Sequence, residues 1–72
     1  MSASQNKEPL YTVKEVSEII RTNQAYVYSL INAKFLPVLK LGSYKIRKDA
    51  LNRFLEKNEG KDLTDPKNVI DL

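Results

Sequence analysis

The feature that narrows the fold most is a chain reversal. Val38-Leu39-Lys40-Leu41 and Tyr44-Lys45-Ile46-Arg47 are short alternating runs joined by Gly42-Ser43. A glycine in the first place of a two-residue loop suits a type II′ turn, whose twist matches that of paired strands. Such a loop sets the register: Leu41 opposes Tyr44, Lys40 opposes Lys45, Leu39 opposes Ile46 and Val38 opposes Arg47. Side chains alternate across a strand, so one face carries Leu39, Leu41, Tyr44 and Ile46 and can cover a core. The other face carries Lys40, Lys45 and Arg47. Like charges directly opposite one another are destabilising, so Lys40 across from Lys45 predicts a phosphate neutraliser, the alternative being a merely soluble edge.

Helices flank this hairpin. Thr12-Val13-Lys14-Glu15 reads as a capping box, with Thr12 at the N-cap and Glu15 at N3, and Tyr11 and Val16 fall at the positions of a hydrophobic staple. Val13, Val16, Ile19 and Ile20 then form an apolar stripe, with Lys14, Ser17, Glu18 and Arg21 off it. Asn23 is a favoured N-cap for a second helix whose stripe is Val27, Leu30 and Ile31. The opposite face presents Ala25, Tyr28, Ser29 and Asn32, flanked by Gln24 and Tyr26. An ordinary solvated face would explain amphipathicity, but it would be expected to carry charge. Amides and hydroxyls of this reach are side chains that read base edges. Leu36 before Pro37 ends the helix. A third helix begins near Lys48-Asp49, buries Ala50, Leu51, Phe54 and Leu55, and stops near Gly60 as a structural brace.

Composition limits the function classes. The chain has 72 residues, enough for one small domain, and 42% hydrophobic residues, enough for a globular one. Cys and His are both absent, which removes the usual zinc ligands, disulfide staples and the common His-dependent catalytic pairs. No cofactor, metal or small-molecule ligand is expected. No apolar run spans a bilayer and the N-terminus lacks a signal-peptide h-region, so a cytoplasmic, nucleoid-associated location and no membrane contact are expected. Between Tyr11 and Leu55 there are eight basic residues against three acidic ones, and from Glu56 onward three against five. A basic body with an acidic tail fits an anionic partner, although charge alone fits a solvated surface equally well. Three parts are expected: residues 1–9 as a flexible lead-in ending in Pro9, residues 10–58 as the folded unit, and residues 59–72 as a disordered acidic tail.

Two helices, a basic hairpin and a third helix make the expected fold mainly α with a small β-hairpin: a winged helix-turn-helix. The runs Tyr-Thr-Val-Lys-Glu-Val-Ser-Glu-Ile-Ile, Tyr-Val-Tyr-Ser-Leu-Ile, Leu-Pro-Val-Leu-Lys-Leu-Gly and Lys-Ile-Arg-Lys-Asp-Ala-Leu-Asn-Arg-Phe-Leu resemble the excisionase-type helix-turn-helix family, MerR-like winged-helix domains. The resemblance covers residues 10–57. It implies that the second helix enters the major groove and that the wing meets backbone or minor groove. Recognition positions would be Gln24, Ala25, Tyr28, Ser29 and Asn32. Backbone and wing positions would be Thr12, Thr22, Asn23, Lys34, Lys40, Ser43, Tyr44, Lys45 and Arg47. Three departures stand out. Arg21-Thr22-Asn23 replaces the family's Gly-Val-Ser, recognition-helix arginines are missing, and the wing loop is one residue shorter than the common form.

The resemblance implies a sequence-specific binder of double-stranded DNA, an excisionase that bends attachment-site DNA and assists an integrase. A small transcriptional regulator is the alternative, and a protein-interaction adaptor a remoter one. An enzyme with a tyrosine nucleophile would need an activating Arg and His cluster, and His is absent. The tail keeps Val69, Ile70 and Leu72 with no core to join. It is expected to order on an integrase (a tyrosine or serine recombinase) or on a neighbouring copy, or to be a solvated segment with no role.

Overall fold

A computed structural model describes residues 9–72. The lead-in expected over residues 1–9 therefore lies outside the described residues except for Pro9, whose carbonyl accepts a hydrogen bond from the Lys48 N–H at 2.9 Å. The elements run β1 (Leu10–Thr12), α1 (Val13–Ile19), α2 (Gln24–Asn32), β2 (Leu39–Leu41), β3 (Ser43–Arg47), α3 (Lys48–Lys57), β4 (Lys61–Asp62) and β5 (Ile70–Asp71). Three helices pack with a small antiparallel sheet of order β1-β3-β2.

Local chemistry sets the helix starts as the sequence predicts. The Glu15 N–H donates to Thr12 Oγ1 at 3.1 Å and the Thr12 N–H donates to Glu15 Oε1 at 2.8 Å, a complete capping box. The Tyr26 N–H donates to Asn23 Oδ1 at 2.8 Å, which caps α2. The helix ends are less expected. The Thr22 N–H bonds the Ser17 carbonyl and the Arg21 N–H bonds the Glu18 carbonyl; the Phe35 and Lys34 N–H groups repeat the pattern on Leu30 and Ile31. Both are Schellman closures, which need a left-handed residue. Arg21 (φ 61°) and Lys34 (φ 70°) supply it where glycine is the usual choice.

The core is Val13, Val16, Val27, Leu30, Ile31, Leu36, Ile46, Leu51 and Phe54. Each such side chain contributes about 1.5–3 kcal/mol on burial. Two expected core residues lie outside: Ile19 is 46% exposed and Leu55 41%. Ser17 takes the inward place on α1, its hydroxyl donating to the Lys14 carbonyl at 2.7 Å, which offsets the cost of burying it. Ser17 lies one turn from Val13 on the packed stripe, so Ile19 falls beside that stripe rather than on it.

The hairpin register differs from expectation by one residue. Leu39 pairs with Lys45, Lys40 with Tyr44 and Leu41 with Ser43, so the chain reverses at Gly42 alone, with φ 80°. The expected Gly42-Ser43 loop and the Lys40–Lys45 pair are therefore corrected, and the charge-repulsion argument for phosphate falls with them. The cause lies at both ends of β2. β3 is pinned by β1, with Tyr11 opposite the fully buried Ile46. Upstream, Leu36 is buried and Val38 packs on the core. Alternation from Val38 sends Lys40 to the Tyr44 side and turns Leu39 and Leu41 outward, 44% and 59% exposed.

The segment 59–72 is also corrected. Instead of a disordered tail it forms a two-stranded antiparallel ribbon, Lys61 opposite Asp71 and Asp62 opposite Ile70. Leu63 packs on the core, the Tyr26 hydroxyl donates to the Leu63 carbonyl, and the Leu72 N–H donates to the Gly60 carbonyl at 2.9 Å. Leu63 ties the ribbon to the core, and the Tyr26 hydrogen bond ties it to α2.

Candidate nucleic-acid interface

α2 presents one polar surface. Val27, Leu30 and Ile31 anchor its inner side, and that leaves Gln24, Ala25, Tyr28, Ser29 and Asn32 exposed together on the outer side. Gln24, Tyr28 and Asn32 are successive fourth residues, so they form a line along the helix axis. None of the five carries charge. Ser29 Oγ donates to the Ala25 carbonyl at 3.2 Å, which commits its proton and leaves its lone pairs to accept. Tyr26 does not belong to this surface. It is half-buried beneath the β4–β5 ribbon, and its phenol is pushed above its ordinary value, chiefly by burial and then by the Asp62 and Asp65 carboxylates.

The β2–β3 hairpin stands beside the line. The Tyr44 ring lies 6.0 Å from the Tyr28 ring at 52°, and Lys40 Nζ is 5.6 Å from the centre of the Tyr44 ring. Lys40 thus joins the α2 side of the sheet, while Lys45 occupies the other face in a row with Thr12 and Leu39. Lys45 Nζ donates to Ser43 Oγ at 2.7 Å, which holds its charge near the hairpin tip. Tyr44 separates two shallow clefts. One is lined by Thr12, Lys14, Gln24, Tyr28 and Ser43. The other is lined by Asn32, Lys34 and Val38 among others.

The candidate residues therefore divide. Gln24, Tyr28, Asn32, Lys34, Lys40, Ser43 and Tyr44 come together around the two clefts. Ala25, Ser29, Thr22 and Asn23 are exposed on or before α2, with the Asn23 side-chain oxygen already committed to its cap. Thr12 Oγ1 is likewise occupied as an acceptor but keeps its proton to donate. Arg47 sits apart at the start of α3, lining a separate hollow with the Asp49–Arg53 ion pair, 3.0 Å across. Lys14 lines the first cleft and is a candidate that sequence reasoning missed. It is an exposed residue in the first turn of α1, and only the folded approach of that turn to Gln24 brings it into the cleft.

Together the surface offers amide, hydroxyl and phenol groups on a helix, with ammonium groups at its margins. Such a set can hydrogen-bond base edges and neutralise flanking phosphates. A family model described as a helix-turn-helix domain matches residues 10–59, most of the chain. Neither a curated protein nor a solved structure matches it.

Proposed function

Since the chain belongs to the helix-turn-helix domain family, we propose that it binds double-stranded DNA in a MerR-like, winged manner. In this reading α2 reads the major groove and the β2–β3 hairpin acts as a wing on the adjacent backbone or minor groove. The observation that carries it is the uncharged polar line Gln24, Tyr28 and Asn32, flanked by Lys14, Lys34 and Lys40. Bases are read by Gln24, Ser29 and Asn32, with Tyr28 packing on sugar or a thymine methyl. Phosphates are held by the lysines, with Arg47 and Lys45 reaching a more distant stretch of backbone.

We assign the protein no chemistry of its own, and the role that fits best is that of an excisionase. It would bind and bend attachment-site DNA so that an integrase can excise a mobile element, acting in the compartment that holds that DNA. Val69, Ile70 and Leu72 remain exposed on the β4–β5 ribbon and are the proposed contact for an integrase or a neighbouring copy. A footprint on the DNA that encodes the protein tests this directly. Protection of attachment-site arms is expected; protection confined to a promoter would replace excision with transcriptional regulation.

A further inference from the structure

The one-residue shift in the hairpin leaves two leucines where a soluble edge would carry polar groups. Leu41 stands at the tip, paired with Ser43 across Gly42, and is 59% exposed. The turn itself is uncrowded: among the described residues, no heavy atom beyond its chain neighbours lies within 4 Å of where a Cβ on Gly42 would stand. The same face of the sheet carries Lys45, its ammonium held at the tip by Ser43, and further back Arg47. Among the described residues, the strands place no carboxylate on this face near the tip; Asp49, beside Leu39 and Arg47 at the far end, is paired with Arg53 at 3.0 Å. A protein partner would cover an exposed leucine with an apolar patch and would have to desolvate these cations. A polyanion satisfies them and can receive the leucine between its bases.

We propose that Leu41 is an apolar wedge that enters the DNA minor groove, with Lys45 anchoring the hairpin tip on flanking phosphate. Side chains of this kind insert between base steps, partly unstack them and kink the duplex toward the major groove. The groove is about 6 Å wide, which admits a tip narrowed to a single glycine more readily than a broad loop. Pyrimidine–purine steps such as TA unstack most easily and are the preferred site. The proposal rests on the DNA-binding reading above and adds a cause for bending. It assigns that bending to Leu41 and not to the helix that reads sequence.

The test uses the full chain and an alternating A/T duplex with 2-aminopurine replacing adenines, so that every register places a labelled step under the hairpin. Unstacking raises 2-aminopurine fluorescence. The intact protein is expected to raise the signal at least about twofold at saturation. Leu41→Ala, measured at saturating protein, should return it to the free-duplex level, with the salt slope set by the lysines unchanged. Leu41→Met should keep most of the rise, and Leu39→Ala, further from the tip, should leave it intact. Circular dichroism confirms that each variant is folded. Binding without a fluorescence rise, or a rise unchanged in Leu41→Ala, overturns the wedge and leaves DNA binding standing. A concentration-dependent dimer of the free protein that Leu41→Ala dissolves also overturns it, since the leucine then serves copy-to-copy contact. Failure to shift any duplex at low salt overturns the DNA reading itself.

Discussion

Two residues close helices in a backbone conformation that suits neither. Arg21 and Lys34 sit at φ 61° and 70° because each completes a Schellman closure, and their cationic ends near helix C-termini recover part of the strain. Arg21→Gly should therefore stabilise the fold by about 0.5 kcal/mol, read as a higher urea midpoint; a lower midpoint would mean that the charge outweighs the strain. Gly42 gives the reverse case. At φ 80° with open space around it, Gly42→Ala costs backbone strain but no clash, on the order of 1 kcal/mol. Tyr26 is the residue whose titration reports on the ribbon. Burial, then Asp62 and Asp65, raise its phenol above the ordinary value near 10. A group raised in the fold contributes stability that is complete below its unfolded pKa and is lost as pH climbs through its folded pKa. The window is therefore alkaline, above about 10. Absorbance titration should place the Tyr26 phenol above its ordinary value, and Tyr26→Phe should remove that step and cost about 1 kcal/mol in stability.

At the scale of elements, what was legible in the sequence was what neighbours in the chain decide. Thr12 and Glu15 cap each other three residues apart, Asn23 caps α2, and Val27, Leu30 and Ile31 point inward because helical period alone places them. The five recognition-face residues follow from the same period. What escaped reading depends on partners distant in the chain. β1 exists because Tyr11 finds Ile46, and the register of β2 follows Val38 onto the core rather than the turn preference of Gly42-Ser43. The ribbon has strands of two residues, too short for any periodicity, and is held by Leu63 and Tyr26. The corrected register separates the lysines, so their substitutions should differ. Lys45→Ala should weaken binding alike on all sequences and lower the salt slope by about one unit. Lys40→Ala should do so too and, by freeing the Tyr44 ring, loosen its packing on Tyr28. Unchanged slopes for both would remove the hairpin from the interface.

At the scale of the molecule, a small core is extended at its C-terminal end. Ending the chain at Asn58 removes Leu63 from the core and the acceptor from the Tyr26 hydroxyl, so such a truncation should lose on the order of 1–3 kcal/mol, read as a lower urea midpoint. An unchanged midpoint would make the ribbon an appendage outside the cooperative unit. No helix among the described residues is long and apolar enough to cross a membrane. The surface divides between the lysines that flank α2 and line the hairpin, Lys14, Lys34, Lys40 and Lys45, on one hand and the acidic ribbon on the other. Net charge of +3 conceals this division. An α2 that reads bases must discriminate, and an α2 that only positions the domain need not. The affinity of the intact protein and of Asn32→Ala for a duplex selected from random sequence, set against unselected duplex at the same salt, separates the two. If α2 reads bases, Asn32→Ala loses on the order of 1–3 kcal/mol on the selected duplex and much less on the unselected one. Equal losses on both, or no preference by the intact protein, would contradict that reading.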